Sequence, residues 1–509
     1  MPSYLHPGVY VEEIPSGSRP IEGVSTSTAA FVGVTRRKSF TDPVVPELIG
    51  SLGDYLDLYG PILSDADDMG RAVQAFYQNG GGAAYICSLS AASETALSVL
   101  EDDIEISAVD DGPWGSDLYI KVSESDVATQ TFTLFVGTHN ADDTFYELEK
   151  FDNAQLTAGD NFLETLVNGV SEFITVSVTG TDLPNDTSAD GIQLGTGIGA
   201  GAGGSVLGAE TSPTATEFST FYGDILRKYR DVRVILLPGQ SWPASGGNPI
   251  ISATRTHCDN IKNRMVIIDP DEGLELTDAS VVNTMSLPTS TYTSLYYPWV
   301  GMSNPLYHPD KNPTVSKTVN IPPSAIAAGM WSKIDAKRGV WKAPAGVEAQ
   351  LTGASSLEFH VENLEQDQLN PLGVNCIRKL PGYGSVFWGA RTLATNADPE
   401  WRYVPVRRTA IYIEESIYNG IQWAVFEPND EPLWASLRAN IGGFMNGLFR
   451  AGAFQGSKAN DAYFVRCGLG DTMTQADIDR GQVIALVGFA PLKPAEFVIV
   501  RIQQKVGEE

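Results

Sequence analysis

The stretch VRVILLPGQSWPASGGNPIISATRTHCDNIKNRMVIIDP, residues 232–270, decides the fold class. Its apolar runs at 232–237 and 265–268 have the length of buried strands, and a helix is predicted between them at about 251–263. Another helix is predicted at 217–229, directly before the first run. Helices that alternate with short apolar strands predict a largely parallel sheet with both faces covered. This part of the chain is therefore expected to be an α/β domain.

The sequence on either side of this stretch predicts further domains. Strands with polar turns between them are expected at 118–122, 131–136 and 173–178, which predicts a β-rich insertion. The C-terminal part combines a long helix at about 432–450 with short strands. The predicted fold class is therefore α/β and α+β multidomain, with strand arms at both ends. The expected divisions are an N-terminal arm at 1–29, an α/β middle domain at 30–95 and 211–370, an acidic β-rich insertion at 96–210, an α+β C-terminal domain at 371–489 and a C-terminal arm at 490–509.

The negative charge of the chain is concentrated in one internal block. The 509 residues carry a net charge of −28, and residues 101–200 hold 20 Asp and Glu against only Lys121 and Lys150. A block this acidic repels nucleic acid and must be well hydrated, so it is expected to face outward. It is interpreted first as a solubility coat, with an acidic ligand-binding face as the alternative. Residues 376–509 hold 14 basic and 14 acidic residues, so that part is neutral.

A second informative stretch is LNPLGVNCIRKLPGYGSVFWGARTL, residues 369–393, which holds no catalytic group. Its glycines and prolines predict tight turns around a short apolar strand at 386–388. The charges of Arg378, Lys379 and Arg391 must be paired or exposed. This composition predicts a surface that fits copies of the same chain.

Each end of the chain carries a strand that needs a partner. The N-terminal strand, 9–14, is isolated by turn residues on both sides and cannot be stable alone. The C-terminal strand, 497–502, is apolar on both faces, as central strands are. Both must pair with a sheet in this chain or in a neighbour. The residues expected in these arm strands are Val9, Tyr10, Val11, Ile14, Phe497, Val498, Ile499, Val500 and Ile502.

No pattern in the sequence predicts catalysis or a cofactor. Residues 199–204 match G-x-G-x-x-G, but the strand and helix that a dinucleotide site needs are missing around them. The histidines are not at metal-ligand spacing, and the four cysteines are far apart with no C-x-x-C pair. Neither a P-loop nor a G-x-S-x-G occurs. An apolar run of the ~18 residues that a membrane span needs is also missing, so no membrane insertion is expected.

The remaining polar clusters favour structural roles. Residues 269–273 resemble a calcium loop but have glycine where the fifth position needs a ligand, so a turn after a strand is the better account. Ser324 is expected to cap a helix that runs to Arg338.

A basic cluster lies further along the chain, where Arg402, Arg407 and Arg408 surround Tyr403. Basic residues beside an aromatic can bind nucleic acid. Acidic residues follow closely, however, and the region is neutral overall. Ion pairing within or between subunits is therefore the favoured interpretation.

Several stretches carry a resemblance to a known family. They are the stretch at 369–393, HPGVYVEEIPSGSRPIEGVSTSTAAFVG (6–33), YYPWVGMSNP (296–305), IPPSAIAAGMWSKIDAKRGVWKAPAG (321–346), WRYVPVRRTAIYIEESI (401–417), VFEPNDEPLW (425–434) and GFAPLKPAEFVIVRI (488–502). On these residues the chain resembles contractile tail sheath proteins, which occur in myophage tails and related phage-tail-like injection systems. The resemblance covers residues 1–90 and 217–509 and is weak at 96–210.

The resemblance implies a structural protein that forms a sleeve of stacked rings around an inner tube protein. Contraction of the sleeve would drive the tube through a target envelope, and the baseplate and tail terminator or cap proteins would be further partners. Assembly is expected in the bacterial cytoplasm, in a virion tail or phage-tail-like particle. The C-terminal domain would lie against the tube, and the arms would add strands to sheets of neighbouring subunits. The implied hinges are Pro15, Gly17, Pro20, Pro491 and Pro494, and the candidate subunit or tube contacts are Arg378, Lys379, Arg391, Arg402, Arg407 and Arg408.

Two other classes of protein stay open at this stage. A static shell or surface-layer protein would also assemble from copies of one chain. An α/β hydrolase would need a nucleophile and a base that are clustered only in the folded structure.

Overall fold

A computed structural model describes residues 20–37, 44–89, 91–100, 103–139, 144–196, 209–309, 315–394, 397–497 and 499. The predicted strand at 9–14, with Val9, Tyr10, Val11 and Ile14, lies outside these residues, as do Pro15, Gly17, Val498, Val500 and Ile502.

The described chain divides into two compact units. The sheet unit consists of Ser25–Ile411 and the residues from Lys493 on, and the C-terminal unit consists of residues 20–24 and Tyr412–Leu492.

The strands and helices alternate along much of the chain. The strands are β1 (Ala29–Gly33), β2 (Glu47–Ile49), β3 (Ala84–Ser88), β4 (Ala91–Glu94), β5 (Leu97–Leu100), β6 (Ile104–Ala108), β7 (Leu118–Asp126), β8 (Thr131–His139), β9 (Phe145–Ala154), β10 (Ile174–Val178), β11 (Ile192–Gln193), β12 (Ala209–Thr211), β13 (Val234–Leu236), β14 (Met265–Ile268), β15 (Thr293–Tyr297), β16 (Val300–Ser303), β17 (Thr318–Ile321), β18 (Ala354–Leu357), β19 (Val374–Leu380), β20 (Gly384–Phe387), β21 (Tyr463–Cys467) and β22 (Ala485–Phe489). The helices are α1 (Leu52–Tyr59), α2 (Asp68–Gln78), α3 (Leu163–Val167), α4 (Ala215–Asp224), α5 (Pro249–Ile261), α6 (Ala279–Thr284), α7 (Pro323–Arg338), α8 (Asn363–Leu369), α9 (Val404–Gly420), α10 (Glu431–Arg450), α11 (Ala459–Ala462) and α12 (Gln475–Asp479).

An eight-stranded sheet organises the sheet unit, in the order β2-β3-β1-β13-β14-β15-β19-β20. The strands from β3 to β19 run parallel, and the two edge strands run antiparallel to their neighbours. Every residue of β1, β13, β14 and β15 is buried, as the continuous apolar runs predict for strands covered on both faces. The predicted mixed α/β, multidomain class is therefore confirmed.

Aromatic side chains fix the helices to this sheet. Phe31 of β1 meets Phe76 of α2 edge to face, with ring centroids 5.4 Å apart. Trp331 of α7 is fully buried and donates its indole N–H to the Tyr296 hydroxyl at 3.0 Å. These large rings fill space between helix and strand, and each buries a large apolar area together with the aliphatic core residues around it.

The start of α7 differs from the prediction that Ser324 caps this helix. The N-cap position is Pro322, and Ser324 lies inside the first turn. Its backbone N–H and hydroxyl donate to the two carboxylate oxygens of Asp269 at 2.7 and 2.5 Å. Asp269 follows β14 and so supplies an acceptor to a helix end that has no capping side chain of its own. Burial raises the pKa of the Asp269 carboxyl to about 7.

The β-rich segment has a core of its own. It contains a three-stranded sheet (β10-β6-β5) and a four-stranded sheet (β11-β7-β8-β9). Buried and more exposed residues alternate along β6 and β7, which is the pattern of a sheet with one solvated face. The buried side chains of these strands pack around Trp114 and form a cluster separate from the one under the large sheet.

The stretch at 369–393 forms the edge of the large sheet. The strand expected at 386–388 is β20, and the strand before it, β19, has no counterpart in the prediction. The turn between them needs glycine, because φ is +81° at Gly382. Since β19 pairs with β15, these residues belong to the sheet unit, whereas the sequence placed the start of the C-terminal domain at 371.

The C-terminal unit is built around α10. Asp430 caps this helix by accepting from the Leu433 N–H, and Pro432 lies in its first turn. One face of the helix is buried and packs against β21, which pairs with β22. In the part of the chain that the structure describes, no helix is long and apolar enough to cross a membrane.

Candidate assembly site

The two-stranded sheet β21–β22 is the least complete element of the C-terminal unit. Its antiparallel register runs from Tyr463 opposite Phe489 to Cys467 opposite Ala485. Within the described residues, no third strand joins either edge. A sheet of two strands is marginally stable in water, and its outer edges present backbone groups that can pair with another strand.

The two faces of this sheet have different surroundings. Cys467 is buried against Leu437 of α10 and belongs to a small apolar cluster. On the opposite face, Phe464 and Leu486 remain 47% and 48% exposed. The Phe464 ring lies over Gly488, where an added Cβ would come within 2.3 Å of it, so glycine is needed there. The exposed apolar side chains of this face, which also carries Arg466, and the unpaired edges together make this sheet a candidate assembly site.

The N-terminal segment of the C-terminal unit, residues 20–24, lies along α9. The Val24 N–H donates to the Ser416 hydroxyl at 3.2 Å. A Cβ at Gly23 would fall 2.0 Å from the Tyr412 hydroxyl oxygen, which shows how closely this backbone approaches the helix. Pro20, a predicted hinge, is exposed and directly precedes this packed segment.

In the sheet unit, the next residues of the chain join a buried ion pair. Arg408 and Asp335 approach to 2.5 Å, and both side chains are almost fully buried. The Thr26 hydroxyl donates to the same carboxylate at 2.6 Å, and the Thr26 carbonyl accepts from Arg408 at 3.1 Å. The guanidinium also lies 4.5 Å from the ring centroid of Trp331. This network joins Thr26 to α7 and to the first part of α9.

The C-terminal segment is held by a second ion pair within the sheet unit. Arg391 donates Nε and Nη2 to the two carboxylate oxygens of Glu496, at 2.9 and 2.5 Å. The Tyr403 hydroxyl donates to the same carboxylate at 3.2 Å. Burial and the nearby Glu496 charge raise the pKa of Tyr403, so the hydroxyl keeps its proton and acts as a donor. The chain beyond Glu496 carries exposed apolar side chains, since Phe497 is 75% exposed and Ile499 is 79% exposed.

The other predicted contact residues are placed differently. Arg407 is buried between the rings of Trp401 and Tyr292, 3.5 and 4.4 Å from their centroids. Arg378 donates to the Gln366 side chain at 2.9 Å, and Lys379 is exposed. Arg402 is partly exposed.

The buried arginines are therefore engaged within the chain. The sequence signal for this was the helical spacing of Val404, Arg408, Ile411 and Glu415, which puts Arg408 on a buried face of α9.

Groups that could support a metal or a nucleophile have structural partners. Among the described residues, no three His, Cys, Asp or Glu side chains lie close enough to hold a metal ion. The carboxylates that suggested a calcium loop are engaged, Asp269 with Ser324 and Asp271 with Ser241. All four cysteines are buried and free, and burial raises the pKa of the Cys258 thiol to about 12, which disfavours the reactive thiolate.

Among the described residues, a sheet without a third strand and terminal segments held by polar contacts are features of a class of structural proteins that assemble from copies of one chain. Family models assign the chain within that class. Residues 228–393 match the phage tail sheath protein central domain, and residues 396–505 match the phage tail sheath C-terminal domain. The chain belongs to the phage tail sheath protein family.

Individual proteins are similar over parts or all of the chain. A tail sheath protein of Vibrio phage KVP40 is 25% identical over 241 residues, which cover 47% of this chain and 32% of the relative. This chain spans less than half the length of the curated relatives it matches.

Solved structures share the fold. The contracted PVC sheath complex of an extracellular contractile injection system has a TM-score of 0.60, with 24% identity and 99% coverage of both chains. The helical sheath of the anti-feeding prophage, also contracted, has a TM-score of 0.59, with 24% identity and coverage of 99% of this chain and 100% of that one.

Proposed function

We propose that this chain is the subunit of a contractile sheath, which polymerises as a helical sleeve around an inner tube. Contraction would drive the tube through a target cell envelope. Membership of the phage tail sheath family supports this proposal, and solved structures with a similar fold include sheaths in the contracted state. A static shell and an α/β hydrolase are less well supported, because neither family match describes such a protein.

The observation that carries the proposal is the incomplete sheet β21–β22. We propose that the N-terminal and C-terminal arms of neighbouring subunits add strands to it. The exposed Phe464 and Leu486 would be covered by such strands, and the exposed Phe497 and Ile499 would find partners. Strand addition uses main-chain hydrogen bonds for affinity and alternate side chains for specificity.

The arrangement of partners is part of the same proposal. The subunits would form stacked rings, with the C-terminal unit against the tube and the acidic segment at 96–210 facing outward. The ring stack would end at a baseplate and at a tail terminator or cap protein. The particle would assemble in the bacterial cytoplasm, as a virion tail or a phage-tail-like particle. Hinge roles for Pro15, Gly17, Pro20, Pro491 and Pro494 and contact roles for Arg378, Lys379 and Arg402 belong to this proposal. No cofactor, nucleic acid or catalytic step is needed.

The test compares assembly of three purified proteins by negative-stain electron microscopy. The full chain should form hollow tubes, whereas chains lacking residues 1–19 or 497–509 should stay dispersed. Circular dichroism should show that both truncated chains keep the folded spectrum, because the deleted residues follow or precede the packed segments described above. Normal tubes from both truncated chains would refute strand addition by the arms. A contractile sheath should be seen in an extended and a contracted form. If all tubes have the same helical lattice, a static shell would be favoured.

A further inference from the structure

We infer that Arg391, Tyr403 and Glu496 form an anchor that fixes the point where the C-terminal arm leaves the subunit, immediately before Phe497. The inference rests on the proposed role of the arm in assembly. In this inference Glu496 positions the arm, and Arg391 binds Glu496 within the same subunit. The sequence had instead suggested that Arg391 contacts another subunit or the tube.

The geometry of the anchor is that of a strong ion pair. The side chains of Arg391 and Glu496 are only 7% and 15% exposed, and two parallel N–H bonds join them. Paired bonds from a planar guanidinium add directional specificity to the charge attraction. The remaining terminal nitrogen, Nη1, donates to the Asn370 carbonyl at 3.0 Å, so the guanidinium is held from two sides.

The base of the anchor is fixed in the large sheet. Asn375 of β19 is fully buried, accepts from the Arg391 N–H at 2.6 Å and donates to the Arg391 carbonyl at 2.8 Å. Its amide nitrogen also donates to the Leu295 carbonyl of β15 at 3.0 Å. The backbones of Arg391 and Tyr403 form an antiparallel bridge. Both side chains that bind Glu496 therefore project from positions that backbone hydrogen bonds define.

The chain that leads to the anchor is short. In the C-terminal unit, Pro491 forms a backbone bridge with Phe454, and the Ala490 carbonyl accepts from the Gln455 N–H at 2.9 Å. The connection between these bonds and the anchor is reduced to residues 492–495, which include Pro494. Of the predicted hinge residues Pro491 and Pro494, only Pro494 lies in this connection, and the arm that would leave the subunit begins after Glu496.

An anchored root lowers the entropic cost of docking the arm. With the ion pair formed, a neighbour needs to order only residues from 497 on, whereas without it residues 492–496 must also be ordered. Rigidifying a binding segment in its bound conformation increases affinity in this way. The anchor should therefore lower the concentration at which subunits polymerise.

Glu496→Gln tests this, because it keeps the size of the side chain and removes its charge. The control is Glu348→Gln, which removes the partner of Arg338 in a more exposed pair of the same unit. We expect Glu496→Gln to speed amide hydrogen exchange in residues 493–497 of the unassembled subunit by about tenfold or more. The critical concentration for polymerisation should rise by about tenfold. Arg391→Lys should give an intermediate effect, since an ammonium cannot reproduce the bonds to both Glu496 and Asn370.

Two results would overturn the inference. One is an exchange rate in Glu496→Gln equal to that of the unchanged protein and of Glu348→Gln. The other is faster exchange with an unchanged critical concentration. The chain that ends after Glu496 separates this inference from the proposed function: slow exchange at 493–496 in a truncated chain that still polymerises would refute the role of the arm but keep the anchor.

Discussion

The mostly parallel large sheet and the antiparallel sheet β21–β22 differ in how many of their strand edges and faces are covered within one subunit. In the large sheet, each strand from β3 to β19 has a neighbour on both sides, and its central strands are wholly buried. In the sheet β21–β22, each strand has one partner and one face remains partly apolar and exposed. Burial on both faces makes the first sheet stable within one subunit. The second sheet lacks that cover, so its stability and its role should depend on other subunits.

The largest loss of stability is expected from Phe31→Ala in β1 of the large sheet. Phe31 is fully buried against Phe76, and removing the ring leaves a cavity that the sheet cannot close. The free energy of unfolding of the unassembled subunit should fall by about 3–5 kcal/mol. Urea denaturation followed by tryptophan fluorescence measures it. A loss below about 1 kcal/mol would mean that the large sheet is not the stable part of the molecule.

A smaller effect is expected from Asp269→Asn at the start of α7. Above about pH 7, where the Asp269 carboxyl is ionised, one of the two Ser324 donors would lose its charged acceptor inside the protein, which should cost about 1–3 kcal/mol. The matched control is Asp271→Asn, two residues further on and paired with Ser241 in a less buried position.

The same carboxyl should make stability depend on pH. Its folded-state pKa of about 7 lies above the ordinary value of 3.8, so the folded protein binds this proton more tightly than the unfolded chain does. The stability that this proton contributes is fully present below about pH 4 and is lost as the pH rises towards 7. Denaturation midpoints at several pH values should show this slope in the unchanged protein and a flatter one in Asp269→Asn. Equal slopes would contradict the assignment.

The smallest effect on stability, with a large effect on assembly, is expected from Phe464→Ala in β21. About half of this ring is already exposed, so the unfolding free energy should change by less than about 1 kcal/mol. If strands of neighbouring subunits cover the ring, Phe464→Ala should polymerise only at a higher critical concentration than the unchanged protein. Leu48→Ala, at an exposed position of β2, serves as the control, because it removes a large exposed apolar side chain from the sheet that is already complete. Unchanged polymerisation of Phe464→Ala would show that this face is not where subunits meet.

Of the large sheet, the sequence predicted β13 and β14, because these strands are apolar on both faces and a helix lies between them, and it predicted β20 as a short apolar strand. It missed β19 because Asn375 interrupts the apolar run and Arg378 and Lys379 follow it. The buried Asn375 is satisfied by backbone groups of Leu295 and Arg391, which come together only in the folded chain. A pattern of residue types cannot show such partners.

The candidate assembly site was predicted in part. Free strands at both ends follow from composition, and so does the need for a sheet to receive them. For Arg408 the sequence favoured ion pairing within or between subunits, and for Arg391 the family resemblance implied a subunit or tube contact. Their partners Asp335 and Glu496 lie 73 and 105 residues away along the chain, and no local spacing connects them.

Asn375 connects the anchor to the large sheet and so provides a path along which force could be transmitted. A pull on residues beyond Phe497 would pass through the Glu496 carboxylate to Arg391, and from its backbone through one amide into β19 and β15. Hydrogen bonds along a paired strand share such a load when it acts along the strand, and they open singly when it acts at one end. Because β19 is paired with β15 and with β20, tension from a neighbour would reach a strand that hydrogen bonds hold along both of its edges.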